Sequence, residues 1–340
     1  MNIYRFWRPN FPQSSKIGRI INSVILQHQW LWSILLHRRS FDAIIVGTDP
    51  QFVWAMFPWI RLINHKTYLI HWVFDLFPEA IIANSRCWTN AFAYLTKPFA
   101  KLSYRCCHYI VDLGHEMREL LQKYDHKAAC ATLTPWALKE PQHLPMVEPG
   151  IREQLFGKAK IGLLYSGTVG YAHDIIPFIT LARECRKRGI DAAFCFAGYG
   201  NRFQEQTSVI TPEDTNIRVA GFAAEEDLEK RLAAADIHMV SVRTSWNGIV
   251  VPSKFFGSLA IGRPVLFSGP DRNSLADYCR NDKIGFVLSE NTADDLQKLI
   301  SNETMLQQLK ERALTVYQKK FSKEIICAEW NKLLSSLAHK

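Results

Sequence analysis

The 340-residue chain lacks the sequence features that mark several classes of protein. None of its eight cysteines belongs to a Cys-x-x-Cys pair, and no group of Cys and His has the spacing of a zinc site. No apolar run reaches the roughly 18 residues that a membrane-spanning helix needs. No apolar h-region, repeat or low-complexity tract is present. The composition therefore argues against a secreted, fibrous, disordered or integral membrane protein.

Acidic residues are scarce in the first third of the chain. Residues 1–110 contain twelve Lys and Arg but only four acids, so they hold eight of the nine net positive charges. The same segment holds seven of the ten tryptophans. Basic residues mixed with aromatic residues suit an anionic membrane surface. The alternative is an aromatic-rich core with a solvated basic rim. No nucleic acid partner is expected, because no known nucleic-acid-binding motif is present.

Buried apolar runs alternate with helical patterns along the chain, which predicts an α/β fold with parallel sheets. Four strands are predicted before residue 135 and six after residue 160. Prolines cluster over 135–160, which we interpret as an irregular domain boundary. Long helical patterns cover about 20–39, 292–320 and 323–337. The pattern predicts two Rossmann-like domains, 1–140 and 141–320, a C-terminal helix over 321–340, and a ligand cleft at the carboxyl ends of the strands.

Two motifs of the second half suit a phosphate ligand. Gly167 and Gly170 stand between a strand and a helix, where glycines let the backbone approach an anion closely. Pro252 and Ser253 resemble a helix start and are followed by Lys254, which adds a positive charge. The alternatives are a plain strand–helix turn for the first motif and a helix cap with a surface lysine for the second.

These motifs occur in a fixed order together with Gly198-x-Gly200, Gly221-Phe222, a strand ending near Arg243, and Gly262-Arg-Pro264. The set resembles the donor-binding half of glycosyltransferase family 4, the retaining GT-B enzymes. It is most similar to the bacterial branch that builds exopolysaccharide and O-antigen, including the colanic-acid type. The resemblance covers about 160–320 and extends into the first half through the segment 71–79 and through Pro135-Trp136.

The resemblance implies a role for each motif residue. Lys254 and Arg243 would hold the donor diphosphate and stabilise charge on the leaving nucleotide, without a metal. Asp75 would orient or deprotonate the acceptor hydroxyl, and His71 would contact the sugar. Asp49 and Glu79 would lie on the acceptor side. The other donor-binding residues would be Gly167, Thr168, Gly170, His173, Asp174, Gly198, Phe222, Val251, Pro252 and Ser253. The structural alternatives are helix capping for Asp75 and Glu79 and a core histidine for His71.

Three features depart from the family pattern. Gly257 stands where many members carry a Glu, and Tyr171 to His173 stand where many carry an Arg and a Lys. The chain also begins after the usual opening strand, glycine-rich loop and helix. We therefore expect an N-terminally shortened domain, or one that a partner chain completes.

The sequence thus predicts a glycosyltransferase that is peripheral on the cytoplasmic face of the cell membrane. Its donor would be a nucleotide-sugar, UDP- or GDP-linked, with no further cofactor, and its acceptor a polyprenyl-linked glycan. One alternative is a non-catalytic or split nucleotide-sugar-binding subunit that needs a partner chain. Another is a nucleotide-sugar 2-epimerase, which would need more carboxylates and histidines in the first half.

Overall fold

The computed structural model describes residues 3–11, 16–38, 40–84, 87–200, 202–221 and 224–338. The chain divides into two compact units. The first unit consists of Met1–Leu133, Gly248–Val250 and Lys332–Lys340, and the second of Thr134–Asn247 and Val251–Asn331. The polypeptide therefore passes four times from one unit to the other. The domain limits predicted from the sequence pattern, 1–140, 141–320 and 321–340, stay a prediction.

The first unit contains a four-stranded parallel sheet in the order β1-β2-β3-β4. Most of its strand residues are apolar, and such strands suit a sheet that helices cover. The four predicted strands and their parallel pairing are confirmed. The strands are β1 (Ala43–Val46), β2 (Tyr68–Trp72), β3 (Tyr109–Asp112) and β4 (Ala129–Thr132).

Helices precede and connect these strands. They are α1 (Lys16–Leu36), α2 (Phe57–Ile63), which follows a 3₁₀ turn over Val53–Met56, α3 (Glu79–Ala83), α4 (Cys87–Tyr104) and α5 (His115–Gln122). The first helix differs from the predicted range of 20–39. It begins four residues earlier and ends at Leu36, because a turn follows in which the Ser40 N–H donates to the His37 carbonyl.

The second unit contains a six-stranded parallel sheet in the order β10-β9-β8-β5-β6-β7. This is the doubly wound Rossmann order, in which the chain builds outward first on one side of β5 and then on the other. The order reverses between β5 and β8, so the connections after these two strands leave in opposite directions. The strands are β5 (Ile161–Thr168), β6 (Ala192–Tyr199), β7 (Ile217–Ala220), β8 (Ile237–Ser241), β9 (Val265–Ser268) and β10 (Gly285–Val287).

Two cores pack on opposite faces of this sheet, because successive side chains of a strand alternate between faces. Leu163 and Tyr165 of β5 belong to one core, whereas Leu164 belongs to the other. The covering helices are α6 (Pro149–Phe156), α7 (Ile176–Lys187), α8 (Phe203–Thr207), α9 (Glu225–Ala233), α10 (Lys254–Ala260), α11 (Ser274–Asn281), α12 (Thr292–Ser301) and α13 (Glu303–Val316). A π-helical turn over Tyr317–Phe321 precedes α14 (Lys323–Ala338), whose last residues belong to the first unit.

The sequence prediction was wrong at several helices of the second unit. The segment predicted to be irregular contains α6, since Pro149 occupies the first turn, where its missing N–H costs nothing. The single helix predicted over 292–320 is interrupted at Asn302, whose side chain caps α13 by accepting from the Met305 N–H. The helices α8 and α11 were not predicted. Over the described part of the chain, no helix combines the length and the apolar character needed to cross a bilayer.

Asp236 ties three parts of the second unit together. Its carboxylate lies 2.7 Å from the Lys310 ammonium and 2.8 Å from the Arg152 guanidinium, and it accepts a hydrogen bond of 2.9 Å from the Gly162 N–H. Burial alone would raise the pKa of Asp236, but the charges of Lys310 and Arg152 outweigh burial and the pKa is lowered. The carboxylate is therefore ionised at neutral pH.

We predict that Asp236→Ala lowers the free energy of unfolding by about 3 kcal/mol, because two largely buried cations lose their partner. Urea denaturation followed by circular dichroism measures the change. The control is Asp271→Ala, which removes an exposed carboxylate paired with Arg280 and should cost no more than about 1 kcal/mol. Equal losses in the two variants would contradict this account.

Candidate functional site

The donor-binding residues predicted in the second unit gather at the carboxyl ends of β5, β6 and β8. Gly167 and Thr168 end β5, Gly198 is the penultimate residue of β6, and Arg243 follows β8. Parallel strands end at the same edge of a sheet, and a crevice opens where the strand order reverses. The structure thus brings these residues to the edge where open α/β sheets bind ligands.

Glycine is required where the loops after β5 and β6 meet. Gly167 pairs in register with Gly198, and a Cβ on Gly198 would lie only 2.1 Å from the Gly167 carbonyl oxygen. Gly167 itself has a φ of +115°, a conformation that side chains disfavour. By contrast, a Cβ on Gly170 would meet no atom within 4 Å. The first two glycines therefore shape the edge of the sheet, and the space beside Gly170 is open.

Lys254 reaches this edge from the first residue of α10. Its Nζ donates to the Tyr165 hydroxyl at 2.8 Å and to the Thr168 carbonyl at 3.2 Å, and it lies 4.0 Å from the centre of the Tyr165 ring. Tyr165 is fully buried in β5. Burial lowers the pKa of Lys254 to about 7, because few polar groups replace the water that its ammonium loses. An anion beside this ammonium would favour its charged form.

Ser241 of β8 accepts hydrogen bonds from both His173 and Asp174. The His173 Nδ1–H donates to the Ser241 carbonyl at 2.8 Å, and the Asp174 N–H donates to the Ser241 hydroxyl at 3.2 Å. Burial and the nearby charge of Lys254 lower the pKa of His173 to about 4, so the ring is neutral at pH 7 and its Nε2 is an acceptor. The Asp174 carboxylate accepts a hydrogen bond of 3.0 Å from the N–H of Ile176, the first residue of α7.

The motif from Gly248 to Phe256 is divided between the two units. Gly248–Val250 belong to the first unit, whereas Val251, Pro252 and Ser253 precede α10 in the second. Since α10 has only seven residues, its first turn offers an anion little beyond the Lys254 side chain. Arg243 is anchored by its backbone N–H, which donates to the Ala172 carbonyl at 2.8 Å. The predicted donor residue Phe222 lies outside the described residues.

Two predicted acceptor-side residues meet in the first unit. Asp49 and Asp75 follow the neighbouring parallel strands β1 and β2. The Thr48 hydroxyl links the two loops by accepting from the Phe74 and Asp75 N–H groups at 3.3 and 3.2 Å. Asp75 keeps solvent contact, yet the crowding of protein atoms and the nearby Asp49 charge raise its pKa. A carboxylate with a raised pKa is a better proton acceptor.

His71 lies in the core of the first unit. Its ring has no exposed surface, stacks on Tyr104 and meets Phe57 edge-on. The Nδ1–H donates to the Val46 carbonyl at 2.9 Å, which leaves a lone pair on Nε2, and burial lowers the pKa to about 4. In this arrangement the ring is closed off from solvent, so a sugar contact stays a prediction that would require Nε2 to become accessible.

Glu79 is engaged within the first unit. Its carboxylate accepts from the Tyr124 hydroxyl at 2.6 Å and lies 3.5 Å from the Lys97 ammonium. Burial and the Glu79 charge raise the pKa of Tyr124. These contacts join α3 to the residues after α5 and to α4, and they are not the helix cap that the structural alternative predicts. The acceptor-side role of Glu79 stays a prediction.

A groove of about 1260 Å³ opens elsewhere in the first unit. Its lining includes Arg38, Phe41, Lys66, Tyr68 and Leu334, which lie near the amino ends of β1 and β2. Asp49 and Asp75 lie at the carboxyl ends of these strands. The groove and the candidate acceptor residues are therefore separate features. Within the described ranges, no three His, Cys, Asp or Glu side chains are grouped so that they could hold a metal ion.

Three residues of the donor-side network were not found by sequence reasoning. Tyr165 and Ser241 lie in buried strands, where a tyrosine or a serine resembles any other core position. Gln206 is buried and holds the segment between β5 and α7 with both polar atoms of its amide. The amide oxygen accepts from the Ile175 N–H at 2.7 Å, and the amide nitrogen donates to the His173 carbonyl at 3.2 Å. The burial of this amide becomes visible only in the structure, where its hydrogen bonds offset the cost of burying a polar side chain.

We predict that Gly198→Ala lowers the free energy of unfolding by about 1–3 kcal/mol, because the added methyl group overlaps the Gly167 carbonyl. Gly170→Ala is the matched control and should change it by less than about 0.5 kcal/mol, since open space surrounds that position. Thermal unfolding followed by calorimetry compares the two. A Gly198→Ala variant as stable as the wild type would show that the two loops are not in contact.

Comparison with known sequences gives similarity to a glycosyltransferase. No family model matches the chain. The chain is similar to the probable glycosyltransferase WbjE of Pseudomonas aeruginosa, with 26% identity over 266 residues, which are 75% of this chain and 65% of WbjE. The match therefore spans less than two thirds of that relative's length.

Solved structures share the architecture at low identity. Anabaena HepE, crystallised with UDP and glucose, superposes with a TM-score of 0.66 and 12% identity, covering 96% of this chain and 84% of HepE. Sucrose-phosphate synthase of Thermosynechococcus elongatus has a TM-score of 0.65 and 14% identity, covering 92% of this chain and 78% of the synthase. Such identities show the fold alone. The predicted fold class is confirmed: two α/β units with parallel sheets, whose structural neighbours are GT-B glycosyltransferases.

Proposed function

We propose that the chain is a glycosyltransferase that takes its sugar from a nucleotide-sugar bound by the second unit. The observation that carries this proposal is Lys254, whose partly desolvated ammonium stands at the crevice of a Rossmann sheet beside the loops of Gly167 and Gly198. An anion bound there would replace part of the solvation that this ammonium lacks. The similarity to WbjE supports the same activity.

The donor chemistry follows from charge. Breaking a sugar–phosphate bond builds negative charge on the departing nucleoside diphosphate, and a fixed cation stabilises that charge. We assign this role to Lys254, with Arg243 as the second cation, and propose that the reaction needs no metal. UDP is the first nucleotide to test beside GDP, because HepE was crystallised both with UDP and with UDP-glucose.

For the acceptor, we assign Asp75 the role of orienting or deprotonating the attacking hydroxyl, since its raised pKa suits a proton acceptor. In keeping with the resemblance to glycosyltransferase family 4, the proposal includes retention of the anomeric configuration and a polyprenyl-linked glycan as acceptor. The chain would then act in cell-surface polysaccharide synthesis at the cytoplasmic face of the membrane.

We predict that one of UDP, GDP, ADP, CMP and dTDP raises the melting temperature of the chain, and that Lys254→Ala abolishes this shift. The reason is that the variant removes the cation at the crevice while the fold retains its core. With the sugar conjugate of the binding nucleotide and an acceptor extract, the same substitution should remove most of the turnover. Thermal-shift assays and product chromatography provide the two measurements.

Asp271→Ala is the control for this experiment, because it changes an exposed charge at a different place in the second unit. Unchanged nucleotide binding in Lys254→Ala would overturn the site assignment. Binding by the isolated chain without turnover on any acceptor extract, but with turnover after a partner chain is added, would instead identify a split glycosyltransferase subunit.

We predict that affinity for the binding nucleotide falls between pH 7 and pH 9, by up to about tenfold per pH unit. In the free protein the pKa of Lys254 is lowered to about 7, so its ammonium loses its proton across this range. A bound diphosphate raises that pKa, and binding therefore takes up a proton. Calorimetry in two buffers of different ionisation enthalpy should give an uptake of about half a proton at pH 7.

Lys254→Arg is the matched control, because a guanidinium stays charged throughout this range. Its nucleotide affinity should be nearly independent of pH from 7 to 9, and its binding should take up no proton from residue 254. If the arginine variant retained the wild-type slope, another group would be responsible for the pH dependence.

A further inference from the structure

The first helix of the chain is apolar, and it is half-buried on one side and exposed on the other. In α1, Gly18 is the one buried residue among those whose side chains are described. Ile17, Ile20, Trp32 and Leu36 are exposed by 72%, 63%, 63% and 64%. Helices in proteins gain most of their stability from burying an apolar face. The exposed apolar side chains of α1 therefore indicate a surface that a binding partner covers.

Helix α4 is apolar on two opposite faces. One face buries Ala93, Ala100 and Tyr104 in the first unit. The other exposes Leu95 by 71% and Phe99 by 66%, which are four residues apart and thus lie in one stripe. A surface helix of a water-exposed protein normally carries polar residues on its outer face.

Helix α2 repeats this pattern in a shorter form. Phe57 and Ile60 are buried, whereas Trp59 and Leu62 are exposed by 58% and 75%. Helix α2 packs against both α1 and α4, so the three outer stripes lie on neighbouring helices. We call the exposed apolar side chains of these three helices the docking face. Several exposed large apolar side chains on neighbouring helices indicate an interaction site, whereas ordinary surface carries such side chains singly.

The charge around the docking face indicates which kind of partner it would bind. Helices α1, α2 and α4 contain no Asp or Glu, whereas Arg19 and Arg61 add positive charge. Glu79 and Asp125 approach α4 from other elements, and both are paired with cations of α4 or of Arg105, which follows it. Glu79 lies by Lys97, and Asp125 lies by Lys101 and Arg105. Apolar and aromatic side chains with basic residues, and without unpaired acids on these helices, complement an anionic bilayer surface.

We propose that the docking face binds the surface of an anionic lipid bilayer, with the stripes of α1, α2 and α4 entering the headgroup boundary. The proposal deepens the proposed function, because it gives the surface through which the chain would meet a lipid-linked acceptor. The observations behind it do not involve the donor site. They are the exposed apolar stripes of α1, α2 and α4 and the lack of Asp and Glu in these helices.

The test is flotation of the full chain with lipid vesicles, in the absence of nucleotide. Vesicles of phosphatidylcholine are compared with vesicles that also contain phosphatidylglycerol. We expect the partition coefficient to be at least about tenfold higher on the anionic vesicles at low salt, because several basic side chains are attracted to the surface. Added salt should reduce this difference.

The critical variant is Leu95→Glu with Phe99→Glu, which places two acids on the stripe of α4. It should lower the partition coefficient at least about tenfold, since each lost apolar anchor contributes roughly that much. The matched control is Val219→Glu with Met305→Glu, which adds the same two charges at exposed apolar positions of the second unit and should bind like the wild type. Circular dichroism checks that both variants fold.

Three outcomes would overturn the proposal: no flotation with anionic vesicles, equal losses in the two double variants, or a dimer in sedimentation that only the α4 variant dissociates, without vesicle binding. The last outcome would make a second copy the occupant of the docking face. Failure here is distinct from failure of the proposed function, because the α4 variant should still bind nucleotide and Lys254→Ala should still bind vesicles.

Discussion

The pairing of β5 with β6 on one side and with β8 on the other determines the geometry of the candidate donor site. This pairing sets Gly167 opposite Gly198 and leaves no room for a side chain between the two loops. It also brings Ser241 beneath the segment after β5, where both its carbonyl and its hydroxyl hold that segment. The positions of the loops thus follow from backbone hydrogen bonds and sterics, which are insensitive to most surface changes.

Within that frame Lys254 is held in a state that favours ligand binding. A lysine whose ammonium is half neutral near pH 7 lacks the solvation that a fully charged group needs. The Tyr165 hydroxyl, the face of its ring and the Thr168 carbonyl replace only part of that solvation. His173, neutral and bound to Ser241, adds no positive charge of its own. The site therefore takes its titratable positive charge from Lys254 rather than from His173.

The sequence was sufficient for most of the sheet but not for several helices or the inner network. The strands could be predicted because each is a short apolar run between turn residues, as at β2 and β6. The helix α6 was missed because Pro149 and Gly150 resemble a linker when read without their neighbours. Tyr165 and Ser241 were missed for a different reason. Their roles depend on contacts with Lys254 and Asp174, which are far away in the chain, and no local pattern reports such contacts.

The segment Gly248–Val250 has a consequence for how the molecule unfolds. It forms part of the first unit, where the Leu76 N–H donates to the Ile249 carbonyl at 2.9 Å and Asp75 forms a bridge with Val250. Only three residues separate Val250 from Lys254. Local melting of the first unit would release this segment and with it the tether that precedes the donor-side lysine. A fragment that ends at residue 133 would therefore lack parts of the first unit, because Gly248–Val250 and Lys332–Lys340 belong to it.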